Sequence, residues 1–267
     1  MPEQQPLAEI FDAGAGDFER MAPSLWNPMG NALVAAADVK LNENVLDACC
    51  GGGSITVPAA QSAGPNAVVD AVDLSAELLE TASAKARTLS LENVVFTQAD
   101  ILSFQPDTEY DVVLCGYALF FLPDMDAGVR HLASLLRSGG RLALSTWAEG
   151  ALTDFSSALF RHCAAEGVEL PGPSETSRDN MLRINTEQKA ADWLSGLGFA
   201  EVHAAHTSVP VQLSPDLAWS LVMGSPLRLM LPADAAAAER VREAFLAELG
   251  PEYTLNANTL LVTAVKP

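Results

Sequence analysis

The stretch Val45–Gly53, VLDACCGGG, decides the fold of this chain. Its first residues are apolar, as in a buried strand, and the glycines that follow predict a tight turn into a helix. This order places backbone N–H groups, with little side-chain bulk, at the carboxyl end of a parallel sheet. Open α/β sheets bind their ligands at that edge, so the stretch predicts a ligand site.

An acidic residue further along supports a nucleoside ligand at the same edge. Asp73 ends the next apolar run, AVVDAVD, which is typical of a second strand. A carboxylate about 20 residues after such a glycine turn is placed to accept hydrogen bonds from a ribose diol. Together, the turn and Asp73 predict an adenosine-containing ligand.

The glycine spacing discriminates among such ligands. A dinucleotide fingerprint starting at Gly51 would need a third glycine where Thr56 stands, and the sequence contains no G-x-x-x-x-G-K-[ST] phosphate loop. Asp47, Gly51 and Gly53 remain, and they suit a ligand without a pyrophosphate. S-adenosylmethionine (SAM), with its adenine, ribose and zwitterionic amino acid, is such a ligand.

The same stretch resembles motif I of the class I SAM-dependent methyltransferases, hydrophobic-Asp-x-Gly-x-Gly-x-Gly, with Cys49 in place of the first glycine. Four further segments follow in the family's order: VDLSAELLETA, TQADILSF, YDVVLCGYALFFLPD and LRSGGRLALSTW. The resemblance is closest to the ubiquinone/menaquinone-biosynthesis type and related small-molecule methyltransferases. It covers residues from about 10 to 150.

The resemblance implies residues for each part of the cofactor. Those that would hold the methionine part are Asp47, Ala48, Cys49, Gly51 and Gly53. Those that would hold the nucleoside are Asp73 at the ribose hydroxyls, Leu74 and Ile101 on either side of the adenine, and Asp100 at its amino group.

The methyl group would be presented near the end of the fourth strand. Cys115 and Gly116 would lie beside the sulfonium, and Phe18 and Trp26, from the N-terminal helices, would line the same site. Phe18 and Trp26 could equally be packing residues, since buried aromatic side chains are common in cores.

Methyl transfer asks little covalent chemistry of the protein, because the cofactor supplies the electrophile and the protein positions the acceptor and excludes water. Two side chains are candidates for a catalytic role. Tyr117 could orient the acceptor, and His162, in the helix after the fifth strand, could act as a base. The four cysteines fit no zinc spacing, so no metal site is expected.

The pattern along the chain predicts an α/β fold with a Rossmann-like, doubly wound sheet of seven strands, mostly parallel, with the last strand antiparallel. The expected strands are 45–49, 67–72, 94–98, 111–116, 141–146, 200–211 and 257–265. Gly139 and Gly140 are expected to end the helix before the fifth strand. The stretch 168–183, with two prolines and scattered charges, is expected to be a loop.

We divide the chain into an N-terminal helical cap (1–40), a SAM-binding core (41–213), an inserted helical lid (214–256) and a final strand (257–267). In the family the last two strands form a hairpin, whereas a long apolar segment separates them here. This segment could close a pocket over the acceptor, pack on the sheet, or form a dimer contact. A homodimer is therefore one arrangement that the sequence allows.

Charge and hydropathy narrow the class of partner. The chain has 34 acidic and 15 basic residues, a formal net charge of −19, which repels nucleic-acid phosphates. The sequence has no apolar run long enough to cross a bilayer, and its first residues lack a signal-peptide pattern. We therefore expect no nucleic acid, no membrane span and a cytoplasmic location.

The sequence thus predicts a SAM-dependent methyltransferase acting on an oxygen or carbon atom of an apolar small molecule, such as a quinone precursor or a secondary metabolite. S-adenosylhomocysteine (SAH) would be the product of the cofactor. The alternative is a protein of the same fold that does not transfer methyl groups, either a binding protein or a cofactor-assisted cyclase. A NAD-dependent oxidoreductase is disfavoured by the missing third glycine.

Overall fold

A central sheet organises the chain in this computed structural model, which describes residues 4–168, 175–208 and 210–267. Its strands are β1 (Val45–Ala48), β2 (Val69–Asp73), β3 (Val94–Gln98), β4 (Tyr110–Gly116), β5 (Leu136–Trp147), β6 (Ala200–Thr207) and, later in the chain, β9 (Thr259–Val265). Two short strands, β7 (Val211–Leu213) and β8 (Tyr253–Leu255), form a separate antiparallel pair.

The seven-stranded sheet has the order β3-β2-β1-β4-β5-β9-β6. β1 pairs in parallel with β2 and β4, and the pairs β2–β3 and β4–β5 are also parallel. β9 lies between β5 and β6 and runs antiparallel to both. This arrangement confirms the predicted fold class.

Ten helices surround the sheet within the described ranges: α1 (Gln4–Arg20), α2 (Asn27–Ala37), α3 (Thr56–Ala63), α4 (Ala76–Thr88), α5 (Met125–Leu135), α6 (Thr153–Ala165), α7 (Glu175–Arg183), α8 (Glu187–Gly196), α9 (Pro215–Met223) and α10 (Ala235–Leu249). Several begin at a side chain that accepts a hydrogen bond from the first helical turn: Ser75, Asp124, Thr186, Ser214 and Asp234.

Both faces of the sheet are covered by apolar helix faces. On one face, Leu132 of α5 and Leu194 of α8 belong to the same buried cluster as Leu46 of β1. On the other face, Leu33 of α2 clusters with Val112 of β4. Burial on both faces explains why the parallel strands are almost continuously apolar.

A further apolar cluster lies beyond the carboxyl end of β5. It joins Trp147 of β5 to Met21, to Phe155 of α6, and to Leu221 and Phe245 of α9 and α10. The segment between β7 and β8 contributes α9, a 3₁₀ turn (Pro226–Met230) and α10 to this cluster.

Among the described residues, none of the helices has the length and apolar character needed to cross a membrane.

The predicted end positions of two elements, β1 and α5, are wrong. β1 ends at Ala48 and not at residue 49, because Cys49 adopts a left-handed backbone conformation with φ of 61°. α5 ends at Leu135, and Gly139 and Gly140 lie inside β5. The ladder between β4 and β5 is irregular at this point, between Tyr110 and Val112.

The predicted strand 200–211 is divided in the structure. β6 ends at Thr207, and the chain resumes as β7, which leaves the main sheet to pair with β8. Pro210 precedes β7. A proline has no N–H for a sheet ladder, and this explains the break.

The predicted loop over 168–183 is wrong for its second part. Residues 175–183 form α7, whereas 169–174 lie outside the described residues. The Asn180 side-chain amide donates to the carbonyl oxygens of Phe120, at 3.3 Å, and Leu122, at 3.0 Å. Arg183 also pairs with Asp126 at 2.6 Å. These contacts with distant residues stabilise a helix that local composition does not predict.

Candidate active site

The structure brings most of the predicted cofactor residues to one edge of the sheet. Asp47 of β1 is in register with Leu114 of β4 and Ala71 of β2, and Asp73 of β2 is in register with Gln98 of β3. The strands are parallel, so their carboxyl ends meet at this edge. The glycine turn and the segments around residues 73, 100 and 116 therefore surround a common space.

Asp47 is the most deeply buried acid of the site, with none of its surface exposed. Thr56 donates its hydroxyl to Asp47 Oδ2 at 2.6 Å, while Oδ1 is buried and has no hydrogen-bond partner among the described residues. Burial raises the pKa of Asp47 to about 7. A buried acceptor without a partner is costly, so this oxygen is suited to a donor from a ligand.

The turn after β1 requires unusual backbone conformations. Gly51 and Gly53 have φ of 53° and 82°, which favour glycine. A Cβ on Gly53 would lie 2.9 Å from the Ala82 side chain of α4, so glycine lets the turn approach this helix closely. Cys49 shares the left-handed conformation. The backbone therefore keeps the shape of a glycine-rich turn although the first glycine is replaced.

Asp73 connects the turn to α4. Its Oδ2 accepts a hydrogen bond from Gly51 N at 2.7 Å, and its Oδ1 accepts one from Ser75 N at 2.9 Å. Burial raises the pKa of Asp73, and the hydrogen bonds from backbone N–H groups oppose this. Each carboxylate oxygen can accept a second hydrogen bond, so both oxygens can still serve a ribose diol.

The predicted adenine residues lie next to Asp73. The N–H of Ala99 donates to the Asp73 carbonyl at 3.0 Å. Asp100 Oδ1 accepts a hydrogen bond from Leu102 N at 2.9 Å, Ile101 is 5% exposed, and Leu74 is partly buried. The backbone thus brings these residues together, and their contacts with an adenine stay predictions.

Cys115 and Gly116 end β4 beside the turn. The neighbouring Cys115 thiol, together with burial, raises the pKa of the Cys49 thiol. A Cβ on Gly116 would overlap the Ile55 side chain. The end of β4 is therefore packed against the residue that precedes α3.

Four aromatic side chains from different elements meet above this edge. The rings of Phe18 and Trp26 are stacked with centroids 4.9 Å apart, and Trp26 contacts Tyr117 at 5.8 Å. Tyr117 lies 4.4 Å from Trp147, centroid to centroid. We call these four rings the aromatic row. The predicted residues Phe18, Trp26 and Tyr117 are thus brought together.

The hydroxyl of Tyr117 is directed to β9. It lies 2.6 Å from Thr259 Oγ1, which donates to the Ala257 carbonyl at 3.0 Å. Since the Thr259 proton is used in that bond, Tyr117 is the donor to Thr259. Burial raises the pKa of Tyr117 above its ordinary value. The phenol is therefore protonated and a poor base, and its ring is part of the aromatic row.

His162 is placed elsewhere. Its Nε2 lies 2.7 Å from Glu248 Oε2, and Arg161 pairs with the same carboxylate. These contacts join α6 to α10. In the described structure the hydrogen bond of His162 does not involve the glycine turn or the aromatic row. A catalytic role for His162 stays a prediction that its surroundings do not support.

Several residues of the site were not predicted. Lys85 of α4 donates from Nζ to the Gly52 carbonyl at 2.8 Å and pairs with Glu19 at 2.6 Å. Lys85 follows the buried Ala82 by one helical turn, so the periodicity of α4 places it on the side of the glycine turn. Trp147 ends β5 as Tyr117 follows β4, and this parallel between two strand ends could have identified it.

Residues 40–193 match a family model described as a methyltransferase domain. The chain belongs to this methyltransferase family. This membership confirms the resemblance drawn from the five sequence motifs. The match begins just before β1 and ends in α8, so it includes the glycine turn, Asp73 and the end of β4.

Similar proteins include two methyltransferases named for small molecules. The chain is 29% identical over 145 residues to aklanonic acid methyltransferase DauC of Streptomyces sp. (strain C5), covering 54% of this chain and 66% of that protein. It is 26% identical over 213 residues to nocamycin O-methyltransferase of Saccharothrix syringae, covering 76% and 75%. The chain spans only 53% of the length of several further relatives.

The chain also resembles a solved structure over its whole length. Magnesium protoporphyrin IX methyltransferase (ChlM) from Synechocystis PCC 6803, with bound SAH, gives a TM-score of 0.62 at 19% identity, covering 99% of this chain and 100% of that one. At this identity the similarity shows a shared fold.

The residues of the site fit SAM. Asp47 Oδ1, which is buried and has no partner among the described residues, suits an ammonium group, and the carboxylate of Asp73 suits a ribose diol. The left-handed turn at Gly51 lies beside Asp73, to which its N–H donates. Family membership and this donor and acceptor set together support SAM as the cofactor.

Proposed function

We propose that the chain is a methyltransferase that transfers the methyl group of SAM to an oxygen or carbon atom of an apolar small molecule. The observation that carries this proposal is the buried Asp47 oxygen, which has no partner in the described part of the chain and lies at the same sheet edge as Asp73. One acid suits the amino-acid end of SAM, and the other suits its ribose.

Each residue has a role in holding the cofactor. Asp47 accepts from the ammonium, and the backbone from Ala48 to Gly53 surrounds the methionine part. Asp73 accepts from the ribose hydroxyls. When bound, SAM supplies an electrophilic methyl group, and Cys115 and Gly116 border the space where an acceptor must meet it. The chain contributes orientation and exclusion of water, which are large effects in such reactions.

The acceptor side is apolar and aromatic. The aromatic row leads from the glycine turn to the cluster formed by Trp147, Phe155, Leu221 and Phe245. We assign the segment 214–256 as a lid over this space, because its helices α9 and α10 supply much of the cluster. An uncharged planar or aliphatic acceptor is favoured by such a lining.

The proposed acceptor is a small molecule and not a nucleic acid. A formal net charge of −19 opposes binding to phosphates. Two relatives carry names that refer to aklanonic acid and to O-methylation of nocamycin, which supports a small-molecule acceptor such as a quinone precursor or a secondary metabolite. We also propose that the enzyme works in the cytoplasm, with a homodimer as one arrangement that the apolar lid allows.

Calorimetric titration with SAM, SAH and NAD tests the cofactor assignment first. We expect binding of both sulfur compounds and none of NAD. Acceptors are then screened with SAM carrying a deuterated methyl group, and products are identified by their mass shift. Binding of SAH with no labelled product from a broad set of phenols, enols and carboxylic acids would favour the binding protein or cyclase. Failure to bind SAH would overturn the proposal.

A further inference from the structure

Helix α1 contacts two parts of the molecule with two different faces. Asp12 and Glu19 lie two helical turns apart and therefore share one face, which is directed to α4. Gly14 and Asp17 lie one turn apart on another face, which is directed to α9. One helix thus contacts both α4, which packs against the glycine turn, and the segment inserted between β7 and β8.

On the side of α4, two acidic residues of α1, two helical turns apart, bind the first and the last part of α4. Asp12 Oδ1 accepts from Ser75 Oγ at 2.5 Å and from Glu77 N at 3.2 Å, so it binds the first turn of α4 next to Asp73. Glu19 pairs with Lys85 at 2.6 Å, and the same Lys85 ammonium donates to the Gly52 carbonyl. These bonds fix α1 to the residues assigned to the ribose and the methionine part.

On the lid side, the contact is close and includes a buried polar bond. Ser220 of α9 is 1% exposed and donates its hydroxyl to Asp17 Oδ1 at 2.9 Å. A Cβ on Gly14 would lie 2.6 Å from the Met223 carbonyl oxygen, and a Cβ on Gly224 would overlap the backbone of Phe18. The two backbones therefore meet directly, and a small shift of α9 must move α1.

Phe18 lies between these two sets of contacts. It stands in sequence between Asp17, which binds α9, and Glu19, which binds Lys85. The ring lies 3.6 Å from the position that a Cβ of Gly51 would occupy, and Trp26 stacks on it and donates from Nε1 to the Phe18 carbonyl at 3.1 Å. The position of the ring over the turn thus depends on both faces of α1.

We propose that Asp17 and Ser220 are positioning residues for the cofactor, which they reach through α1 and Phe18 without touching it. This inference rests on the proposed function, since it assumes that the glycine turn binds SAM. Its consequence is reciprocal. Whatever displaces α9 weakens cofactor binding, and bound cofactor restrains α9 by the same free energy. An acceptor that packs on α9 is therefore coupled to cofactor affinity.

The test is a set of SAH titrations by calorimetry on Ser220→Ala, Asp17→Ala, the double variant and Asp17→Asn. We expect each alanine variant to bind SAH up to about fivefold more weakly, because the ligand must then order α1 itself; the free energy of one hydrogen bond sets this upper limit. The double variant should bind as well as either single one, because both remove the bond between Ser220 and Asp17. Asp17→Ala also removes the pair of Asp17 with Arg20 at 3.3 Å, which contributes little because the Arg20 side chain is exposed. Asp17→Asn keeps an acceptor oxygen for Ser220 and should retain the wild-type affinity.

The control is Glu166→Gln, which removes the ion pair of Glu166 with Arg240 at 2.6 Å, away from α1. It should leave SAH affinity unchanged. The inference is overturned if both alanine variants bind SAH within twofold of wild type, or if their effects add in the double variant. Melting temperatures of the free proteins separate a general loss of stability from a loss of affinity. Absence of SAH binding by the wild-type chain would overturn the proposed function, and this inference with it.

Discussion

The carboxylate of Asp73 links the glycine turn to the first turn of α4. Its two oxygens accept from Gly51 N at 2.7 Å and from Ser75 N at 2.9 Å. One side chain at the end of β2 therefore sets the distance between the two segments that would enclose a nucleoside. Its position is fixed before any ligand binds, which reduces the cost of ordering it on binding.

Asp73→Ala tests the ribose assignment. The variant loses the acceptors for two hydroxyl groups and also frees Gly51 N, so we expect SAH affinity to fall at least about tenfold, since hydrogen bonds to charged groups contribute about 1.5–3 kcal/mol. Calorimetry gives the affinity. Asp70→Asn is the matched control, because Asp70 lies on the same strand and accepts from Tyr110 at 2.6 Å. Equal SAH affinity in Asp73→Ala and wild type would remove Asp73 from the site.

Cys49 offers a test of backbone strain in the turn. Its φ of 61° costs a non-glycine residue about 1 kcal/mol, and a glycine avoids this cost. Cys49→Gly and Cys49→Ala both remove the thiol contact with Cys115, but only the first relieves the backbone. We expect Cys49→Gly to be more stable than Cys49→Ala by about 1 kcal/mol in denaturant unfolding. Equal stability of the two variants would contradict the assigned strain.

The sequence was sufficient for the parallel core because local and global signals agree there. The apolar runs that end at Asp73 and Gly116, and the glycines between strand and helix, place ligand-binding residues at the same edge whatever the rest of the chain does. Asp47 and Asp73 were therefore found as a pair, and the structure brings them to the predicted edge.

Contacts between distant segments decided what the sequence did not predict. α7 depends on the hydrogen bonds of Asn180 to the carbonyls of Phe120 and Leu122, which no local sequence pattern predicts. In the same way, the packing of α1 on α4 and α9 provides the partners of Asp12, Asp17 and Lys85. A surface-type residue in an amphipathic helix gives no indication of its partner.

Tyr117→Phe separates the ring from the hydroxyl. The hydroxyl donates to Thr259, so we expect the variant to lose about 1 kcal/mol of stability and to keep methyl transfer within threefold of wild type. Denaturant unfolding and the deuterated-methyl assay measure the two effects. Thr259→Val also removes the bond to the Ala257 carbonyl, so it should lose at least as much stability, and the part due to the Tyr117 bond should not add. A fall in methyl transfer of a hundredfold or more would show that the hydroxyl acts in catalysis.

His162→Gln distinguishes a base from a link between helices. A general base contributes about 10²–10⁴-fold to the rate, and its removal would reduce methyl transfer accordingly. Since His162 bonds to Glu248 of α10, we expect a lower melting temperature and methyl transfer within twofold of wild type. Glu248→Gln also loses the ion pair with Arg161, so it should lower the melting temperature at least as much. Loss of most of the activity in His162→Gln alone would restore it as a catalytic residue.

The pH dependence of stability tests the burial of Asp47. Burial raises its pKa to about 7 in the folded chain, against about 3.9 in an unfolded one. The folded state then binds more protons than the unfolded state between these values, so this group makes stability fall as pH rises from about 4 to 7. Asp47→Asn cannot titrate, and its free energy of unfolding should exceed that of wild type at pH 8 and lose this slope.

We expect Asp47→Asn to be more stable than wild type at pH 8 but to bind SAH more weakly. Asp47→Asn loses the carboxylate that suits an ammonium group, so we expect SAH affinity to fall at least about tenfold at pH 8, where the wild-type group is ionised. The difference in affinity between the two proteins should shrink below pH 6, because the wild-type carboxyl is then protonated and also neutral. Denaturant unfolding and calorimetry at several pH values give both quantities. A variant that is less stable than wild type at pH 8, or that binds SAH equally well there, would show that Asp47 is a structural acid paired with Thr56.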